Sequence, residues 1–180
     1  MGVIARFILK IWGWKILGVE NTKLPKYVIA VVPHTSNWDF PLGLLVRSAA
    51  EMDSKYIGKA SLFKFPYGFF FRALGGYPVD RSHSSNYVEA VADIFNSKER
   101  FSIAIAPEGT RKKVTKLKTG FYFIAMEAKV PILLTKLNNE KKEFDFRKIF
   151  YPTDDSEKDL EYIESFFKGT KGIVQENQFD

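Results

Sequence analysis

One histidine and one aspartate early in the chain have the residue types and the spacing of an acid–base pair. His34 is one of two histidines, and Asp39 follows it five positions later. Five residues along a continuous helix rotate by about 500°, so the two side chains could not share one helical face. The pair must straddle a turn, across which the carboxylate could hold the imidazole in one tautomer as a general base. A surface pair is the commoner explanation of such neighbours, so catalysis needs further support.

The residues around His34 predict a strand, a turn and a helix. Residues 28–32 form a short β-branched run closed by a proline, which is typical of a buried strand. Ser36 and Asn37 are turn and helix-capping residues, and a helix is predicted to begin near Trp38. This arrangement places the histidine at a strand end and the aspartate at a helix start.

A second block with chemical potential follows another predicted strand, residues 101–106. Its members are Glu108, Gly109, Thr110 and Arg111. The glycine allows a tight backbone turn close to a ligand, the threonine supplies a hydroxyl, and the arginine can bind a phosphate through two parallel hydrogen bonds. The lysines that follow are explained equally well as a solvated charged surface. Arg81, after a short predicted strand at residues 77–79, is a second candidate for the same anion.

Composition limits the class of protein. The chain has 180 residues, enough for one globular domain with a sizeable core. Its formal net charge of +6 favours an anionic partner, which could be a phosphate-bearing metabolite, a membrane or a nucleic acid. The absence of cysteine excludes disulfides, thiolate metal sites and a cysteine nucleophile. One histidine with one carboxylate is a thin set for zinc, so no metal site is predicted.

The N-terminal segment predicts contact with a membrane surface. Residues 2–19 are mostly apolar, but Arg6, Lys10 and Lys15 interrupt them, which argues against a spanning helix. No secretory cleavage pattern is visible. Basic residues mixed with Trp12 and Trp14 are typical of an amphipathic helix in the bilayer interface, and a terminal helix packed on the protein body is the alternative. The predicted division is an amphipathic membrane-associating helix at 1–20 and a globular domain at 21–180.

Predicted strands alternate with helices along the rest of the chain. This pattern predicts a single-domain α/β fold with a largely parallel central sheet and helices on both faces. Functional sites in such sheets gather at the carboxyl ends of the strands, so His34, Arg81 and the block at residues 108–111 could converge. The aromatic residues 63–71 suggest an apolar wall or a membrane-facing patch. Residues 143–151 are interpreted as an edge strand, and no chemistry is assigned to the C-terminal third.

Four blocks, in this order, make the chain resemble the glycerolipid acyltransferases of the lysophosphatidic acid acyltransferase type. The residues from His34 to Asp39 match the family's His-x4-Asp block, and the glycine turn at 75–81 is similar to its second block. Residues 107–111 read Pro-Glu-Gly-Thr-Arg, the complete third signature, and residues 130–133 resemble the Val-Pro-hydrophobic strand. Such signatures at the proper separation are specific. The resemblance covers roughly residues 28–137.

Two further positions bear on this resemblance. Lys59, ahead of the aromatic stretch, sits where members of the family often carry a lysine. Pro33 departs from the pattern, because members often have asparagine before the histidine. The proposed base is unaffected by that difference.

The resemblance implies a mechanism that agrees with the residues themselves. His34 would take the proton from an acceptor hydroxyl while Asp39 fixes the imidazole and stabilises the imidazolium. The alkoxide would attack an acyl-CoA or acyl carrier protein thioester as co-substrate, with no cofactor. Ser36 is better explained as a turn residue than as a nucleophile. The residues expected to bind the acceptor are Arg81, Glu108, Gly109, Thr110 and Arg111. Lys59 either joins them or is an ordinary surface lysine.

The expected activity is acyl transfer to a lysophospholipid, most simply 1-acylglycerol 3-phosphate, to give phosphatidic acid. The resemblance leaves open another acceptor, such as a lyso-aminolipid. The expected location is the cytoplasmic face of the cell membrane, as a monotopic or peripheral protein. If the protein is not an enzyme, the alternative is a basic peripheral membrane-binding module. A nucleic-acid-binding protein is disfavoured because no recognition motif accompanies the basic run.

Overall fold

The computed structural model describes residues 2–79 and 84–180, and at positions 58–60, 62, 79 and 84–86 only the backbone is described. Arg81 and His83 therefore lie outside the described residues, and so does the side chain of Lys59.

Helices and strands alternate as the sequence predicts. The helices are α1 (Gly2–Ile11), α2 (Asp39–Ala49), α3 (Gly68–Ala73), α4 (Ser84–Asn96), α5 (Gly120–Glu127) and α6 (Ser156–Phe167). The strands are β1 (Lys15–Leu17), β2 (Lys26–Val32), β3 (Ser54–Lys59), β4 (Gly76–Val79), β5 (Phe101–Ile105), β6 (Ile132–Asn138) and β7 (Glu143–Phe150). Short 3-10 turns occupy Val19–Lys23, Ala60–Phe63 and Gln175–Asn177. The helix predicted near Trp38 begins one residue later, at Asp39.

All described strands join one sheet in the order β1-β7-β6-β2-β5-β3-β4. Every neighbouring pair is parallel except β6 with β7. This confirms the predicted α/β fold with a largely parallel sheet. The strand that precedes His34, β2, is central, and its Val28 pairs with Ile103 of β5 and Ile132 of β6. Because these three strands run parallel, the segments that follow them leave at the same edge of the sheet.

The central strand β2 contributes side chains to two apolar cores, one on each face of the sheet. Alternate residues of β2 point to opposite sides, as the pleat requires. Val28, Ala30 and Val32 belong to a cluster with residues of α4, α5 and α6. Tyr27 and Ile29 belong to a second cluster with residues of α1 and α2. Helices therefore cover both faces, and the near-continuous apolar run of β2 is explained by burial on two sides.

The N-terminal segment departs from the predicted helix over 1–20. The helix ends at Ile11, Gly13 adopts a positive φ of 76°, and Trp14 is buried against Phe144, with ring centroids 5.9 Å apart. Lys15–Leu17 then adds to the sheet beside β7. Without β1, the backbone N–H and C=O groups along one side of β7 would have no strand partner. Residues 15–17 pair with these groups as a strand, so they cannot continue helix α1. The prediction of 143–151 as an edge strand is wrong for the same reason.

The helix that does form, α1, is amphipathic, with its faces in different environments. Ala5 and Leu9 are buried in the cluster shared with α2. Val3, Ile4 and Phe7 on the other side are exposed. The helix thus packs on the protein body and still presents an apolar surface outward. In the part of the chain that the structure describes, no helix is both long and apolar enough to cross a bilayer.

Two phenylalanines on α5, one buried and one exposed, test which side of this helix belongs to the stabilising core. Phe121 is 1% exposed and Phe123 is 40% exposed. We expect Phe121→Ala to lower the free energy of unfolding by about 3–5 kcal/mol, because it leaves a cavity in the core. The matched change Phe123→Ala should cost about 1 kcal/mol or less. Urea unfolding at neutral pH measures both, and equal losses would contradict the assignment of the core.

Candidate active site

The histidine and the aspartate meet across the turn between β2 and α2. His34 Nδ1 lies 2.9 Å from Asp39 Oδ2. Ser36 supports the turn, because its Oγ accepts the N–H of Trp38 at 3.2 Å. With Nδ1–H donating to the carboxylate, the imidazole is held as the tautomer whose Nε2 carries a lone pair and can accept a proton. The sequence-based expectation of a pair that straddles a turn is confirmed.

The backbone of the turn holds Asp39 in place, just as Asp39 orients the imidazole of His34. Its Oδ2 also accepts the backbone N–H groups of Thr35 at 2.7 Å and Ser36 at 2.8 Å. The side chain is buried, and within the described structure its Oδ1 has no hydrogen-bond partner. Three donors on one oxygen hold the carboxylate in one position. An imidazolium formed at His34 would therefore face a fixed negative charge.

Glu108 contacts the backbone of the histidine, which the sequence did not predict. Its Oε2 accepts the N–H of His34 at 2.8 Å, and the residue is 2% exposed. The contact follows from topology, because β5 lies beside β2 and the two segments leave the sheet together. Burial raises the pKa of Glu108 to about 7, while the hydrogen bond and the charge of His34 limit the rise and Asp39 adds to it. The expectation of a substrate contact at Glu108 stays a prediction.

The rest of the Pro-Glu-Gly-Thr-Arg block turns toward solvent beside a lysine. Gly109 has a φ of 64°, which favours glycine, and a side chain at this position would collide with the side chain of Lys118. The N–H of Lys118 donates to Pro107 O at 2.8 Å, which closes the loop that carries the block. Thr110 is half-buried and Arg111 is exposed. In the sequence, Lys118 is one of several lysines that follow the block. In the structure, its side chain brings a positive charge next to Gly109.

An apolar cavity of about 300 Å³ opens beside the pair. His34 and Asp39 contribute to its lining, and Phe40 and Tyr56 form an edge-to-face pair there with centroids 5.1 Å apart. Its polar lining includes Arg47, whose Nη1 donates to Leu74 O at 2.6 Å. Its apolar lining includes Ile29, Leu44, Val46, Met52, Ile57, Leu137, Phe144 and Phe146. A histidine beside an apolar space suits chemistry at the end of a hydrocarbon chain.

The described residues contain no cluster of metal-binding side chains. Among them, no three histidine, aspartate or glutamate side chains lie close enough together to hold an ion. Of the predicted site residues, the structure brings together His34, Asp39 and Glu108 and places Gly109, Thr110 and Arg111 on the adjoining loop. The predictions for Arg81 and for the side chain of Lys59 fall outside what is described.

The chain is similar to known proteins in sequence and in fold. A family model described as Acyltransferase matches residues 15–133. The fold is similar to the crystal structure of the 1-acyl-sn-glycerophosphate (LPA) acyltransferase, PlsC, from Thermotoga maritima, with a TM-score of 0.60 and 21% identity. The match covers 92% of this chain and 74% of that chain. No curated protein sequence matches.

The buried carboxyl of Glu108 predicts a pH-dependent stability. Its pKa of about 7 in the folded protein lies above the ordinary value of 4.5. The folded state therefore holds this proton more tightly, and stability present at low pH is lost as pH rises through about 7. The loss between pH 4.5 and 8 should be about 3 kcal/mol, because one pKa unit corresponds to about 1.4 kcal/mol.

Glu108→Gln tests this prediction, because an amide oxygen can still accept the His34 N–H but does not titrate. Urea unfolding at pH 5 and pH 8 should show a smaller fall for this variant than for the wild type. Glu89→Gln, on the exposed surface of α4, changes the charge equally and serves as the control. A fall of the same size in wild type and Glu108→Gln would show that the carboxyl does not titrate in this range.

Proposed function

The chain belongs to the acyltransferase family, and on that premise we propose that it transfers a fatty acyl group from a thioester to the hydroxyl of a lysophospholipid. The acceptor is 1-acylglycerol 3-phosphate and the product is phosphatidic acid. The donor is acyl-CoA or acyl carrier protein, and no cofactor takes part. The observation that carries the proposal is the 2.9 Å contact between His34 and Asp39 at the edge of an apolar cavity.

The geometry supports general-base catalysis. Nε2 of His34 takes the proton of the acceptor hydroxyl, and the resulting oxygen nucleophile attacks the thioester carbonyl. Asp39 stabilises the imidazolium, and its own position is fixed by two backbone N–H groups. When the tetrahedral intermediate collapses, the C–S bond breaks and the imidazolium returns its proton to the thiolate. The histidine is neutral again at the end of the cycle.

The cavity is suited to the acyl chain. Its lining is predominantly apolar and begins at the proposed base, so a thioester carbonyl near His34 would direct its hydrocarbon tail inward. Removal of each methylene from water contributes about 0.8 kcal/mol. Binding of the chain thereby also fixes the carbonyl at the reacting histidine, which reduces the entropy lost in the transition state.

The loop after β5 is suited to the phosphate of the acceptor. Arg111 is exposed there, and Lys118 passes over Gly109 on the same loop. Arg81 and Lys59 are proposed to complete this group of cations. A concentration of positive charge supports a phosphate-bearing acceptor over a lyso-aminolipid, which carries no phosphate for these residues to bind.

Two segments that contain basic but no acidic residues support a peripheral position at the membrane. Residues 2–19 contain Arg6, Lys10 and Lys15, and residues 54–79 contain four basic residues, with no aspartate or glutamate in either segment. The first exposes the apolar face of α1. The second exposes Phe65, which is 98% accessible, together with Tyr67, Phe69 and Phe70. Exposed aromatic side chains beside basic ones favour an anionic lipid surface, and we place the protein at the cytoplasmic face of the membrane.

A basic membrane-binding module without activity is the alternative class. Such a module would need the exposed apolar surfaces but would have no use for a buried carboxylate held by three hydrogen bonds beside a histidine. The two classes differ in whether chemistry depends on that pair.

Replacement of the proposed base should abolish transfer. In detergent micelles, His34→Ala is expected to lower kcat for transfer of a labelled palmitoyl group to lysophosphatidic acid by about 10³-fold. Asp39→Asn should lower it by about 10²-fold, because a neutral amide stabilises the imidazolium less. His83→Ala, which removes the chain's other histidine, should keep wild-type activity. Equal product from His34→Ala and wild type would disprove the role of His34. Transfer by the wild type to a lyso-aminolipid but not to lysophosphatidic acid would favour the alternative acceptor.

Loss of the exposed aromatic residues should weaken membrane binding. Phe65→Ser with Phe69→Ser, or Phe7→Ser with Ile11→Ser, is expected to weaken sedimentation with phosphatidylglycerol vesicles about tenfold, because apolar surface no longer enters the bilayer. Activity in micelles should remain. Phe123→Ser changes an exposed phenylalanine of α5 and is the control. Unaltered sedimentation of both double variants would place the membrane contact elsewhere.

A further inference from the structure

The C-terminal segment lies across the turn that carries the His34–Asp39 pair. After α6, residues 171–174 form what we call the C-terminal strap. At one end, Lys171 O accepts the N–H of Asn139, which follows β6, at 2.8 Å. At the other end, the N–H of Val174 donates to Thr35 Oγ1 at 3.1 Å. The strap therefore joins the ends of two neighbouring strands, β6 and β2, at the edge of the sheet where the site lies.

The chain is anchored in the core both before and after the strap. Phe167, the last residue of α6, is fully buried, and Phe179 is 2% exposed in the same apolar cluster. Thr170, between α6 and the strap, is also buried. The strap is consequently a fixed part of the fold and has little freedom to leave the turn.

Gly172 brings the strap into direct contact with the turn. A Cβ atom added at this position would lie 2.6 Å from both Cγ2 and Oγ1 of Thr35, and 3.0 Å from Cγ of Pro33. Real Cβ atoms do not approach other atoms this closely, and both neighbours are buried. Only glycine fits here without displacing Thr35 or Pro33. This requirement concerns space and not a special backbone angle.

Thr35 connects the strap to the catalytic carboxylate. Its hydroxyl accepts from the strap, and its own N–H donates to Asp39 Oδ2 at 2.7 Å. The next atom in the series is Nδ1 of His34, 2.9 Å from the same oxygen. A displacement of Thr35 would therefore alter the carboxylate that orients the base.

We propose that the C-terminal strap is a positioning element for acyl transfer, acting through Thr35 on Asp39 and His34. This inference rests on the proposed function, and it assigns a role to a part of the chain that carries no family motif. The strap touches no reacting atom in the proposed mechanism. Its contribution is to hold the acid–base pair in its productive geometry before substrate binds.

Two substitutions test the strap from its two sides. Gly172→Ala adds the atom that collides with Thr35, and Thr35→Val keeps the volume but removes the acceptor for Val174. Each should lower kcat about tenfold or more and change KM by less than about twofold, because the affected residues orient the base and bind no substrate. Thr35→Ser keeps the hydroxyl and should retain kcat within about twofold. Gly120→Ala, at a glycine with open space around it, should behave as the wild type.

A spectroscopic measurement makes the test independent of the substrate. A ¹⁵N-labelled sample should give an imidazole Nδ1–H resonance of His34 that is shifted downfield and protected from exchange by the His34–Asp39 hydrogen bond. We expect it to weaken or disappear in Gly172→Ala and Thr35→Val and to persist in Thr35→Ser. If Gly172→Ala does not fold, Thr35→Val carries the test.

The results separate the two proposals. Folded Gly172→Ala and Thr35→Val proteins that retain wild-type kcat and the protected resonance would overturn the role of the strap. A wild-type protein that shows the resonance but transfers no acyl group to any lysolipid would instead overturn the proposed function. In that case the resonance in the variants still decides whether the strap positions the pair.

Discussion

The hydrogen bonds to one oxygen atom, Oδ2 of Asp39, organise the site. This atom accepts from His34 Nδ1 and from two consecutive backbone N–H groups. The turn cannot adopt another shape without leaving a buried carboxylate short of donors, which would cost more than the bonds themselves contribute. The spacing between the histidine and the aspartate is therefore a backbone requirement as well as a chemical one. A shorter or longer turn would lose the backbone donors together with the imidazole.

The parallel sheet explains why a glutamate from a distant part of the chain supports this turn. The strands β2 and β5 are neighbours and end at the same edge, so Glu108 meets the N–H of His34. Burial of that carboxyl opposes folding at neutral pH, as its raised pKa indicates. A carboxyl that destabilises the fold while it fixes the backbone of His34 is consistent with a site selected for geometry.

Much of the architecture could be predicted because it depends on local pattern. The β-branched run before His34, the turn residues after it and the alternation of strands with helices each have one dominant structural solution. The length of α1 and the place of β7 could not be predicted, since both depend on β1 pairing with β7 across the whole chain. The role of Glu108 was also hidden, because its partner is a backbone N–H, which every residue except proline supplies. Gly172 carried no signal either, because its small size matters only where the folded chain brings it against Thr35 and Pro33.

The cavity beside His34 has a thermodynamic consequence for the protein as a whole. Several of its lining residues, among them Ile29, Val46 and Leu137, also belong to the core cluster beneath α1 and α2. An acyl chain in this space would thus complete a core that the polypeptide alone leaves partly unfilled, and ligand and fold would stabilise each other by mass action. Larger side chains at these positions would make the empty protein more stable and the accepted chain shorter. Under the proposed function, substrate range and resistance to unfolding would both depend on this one volume.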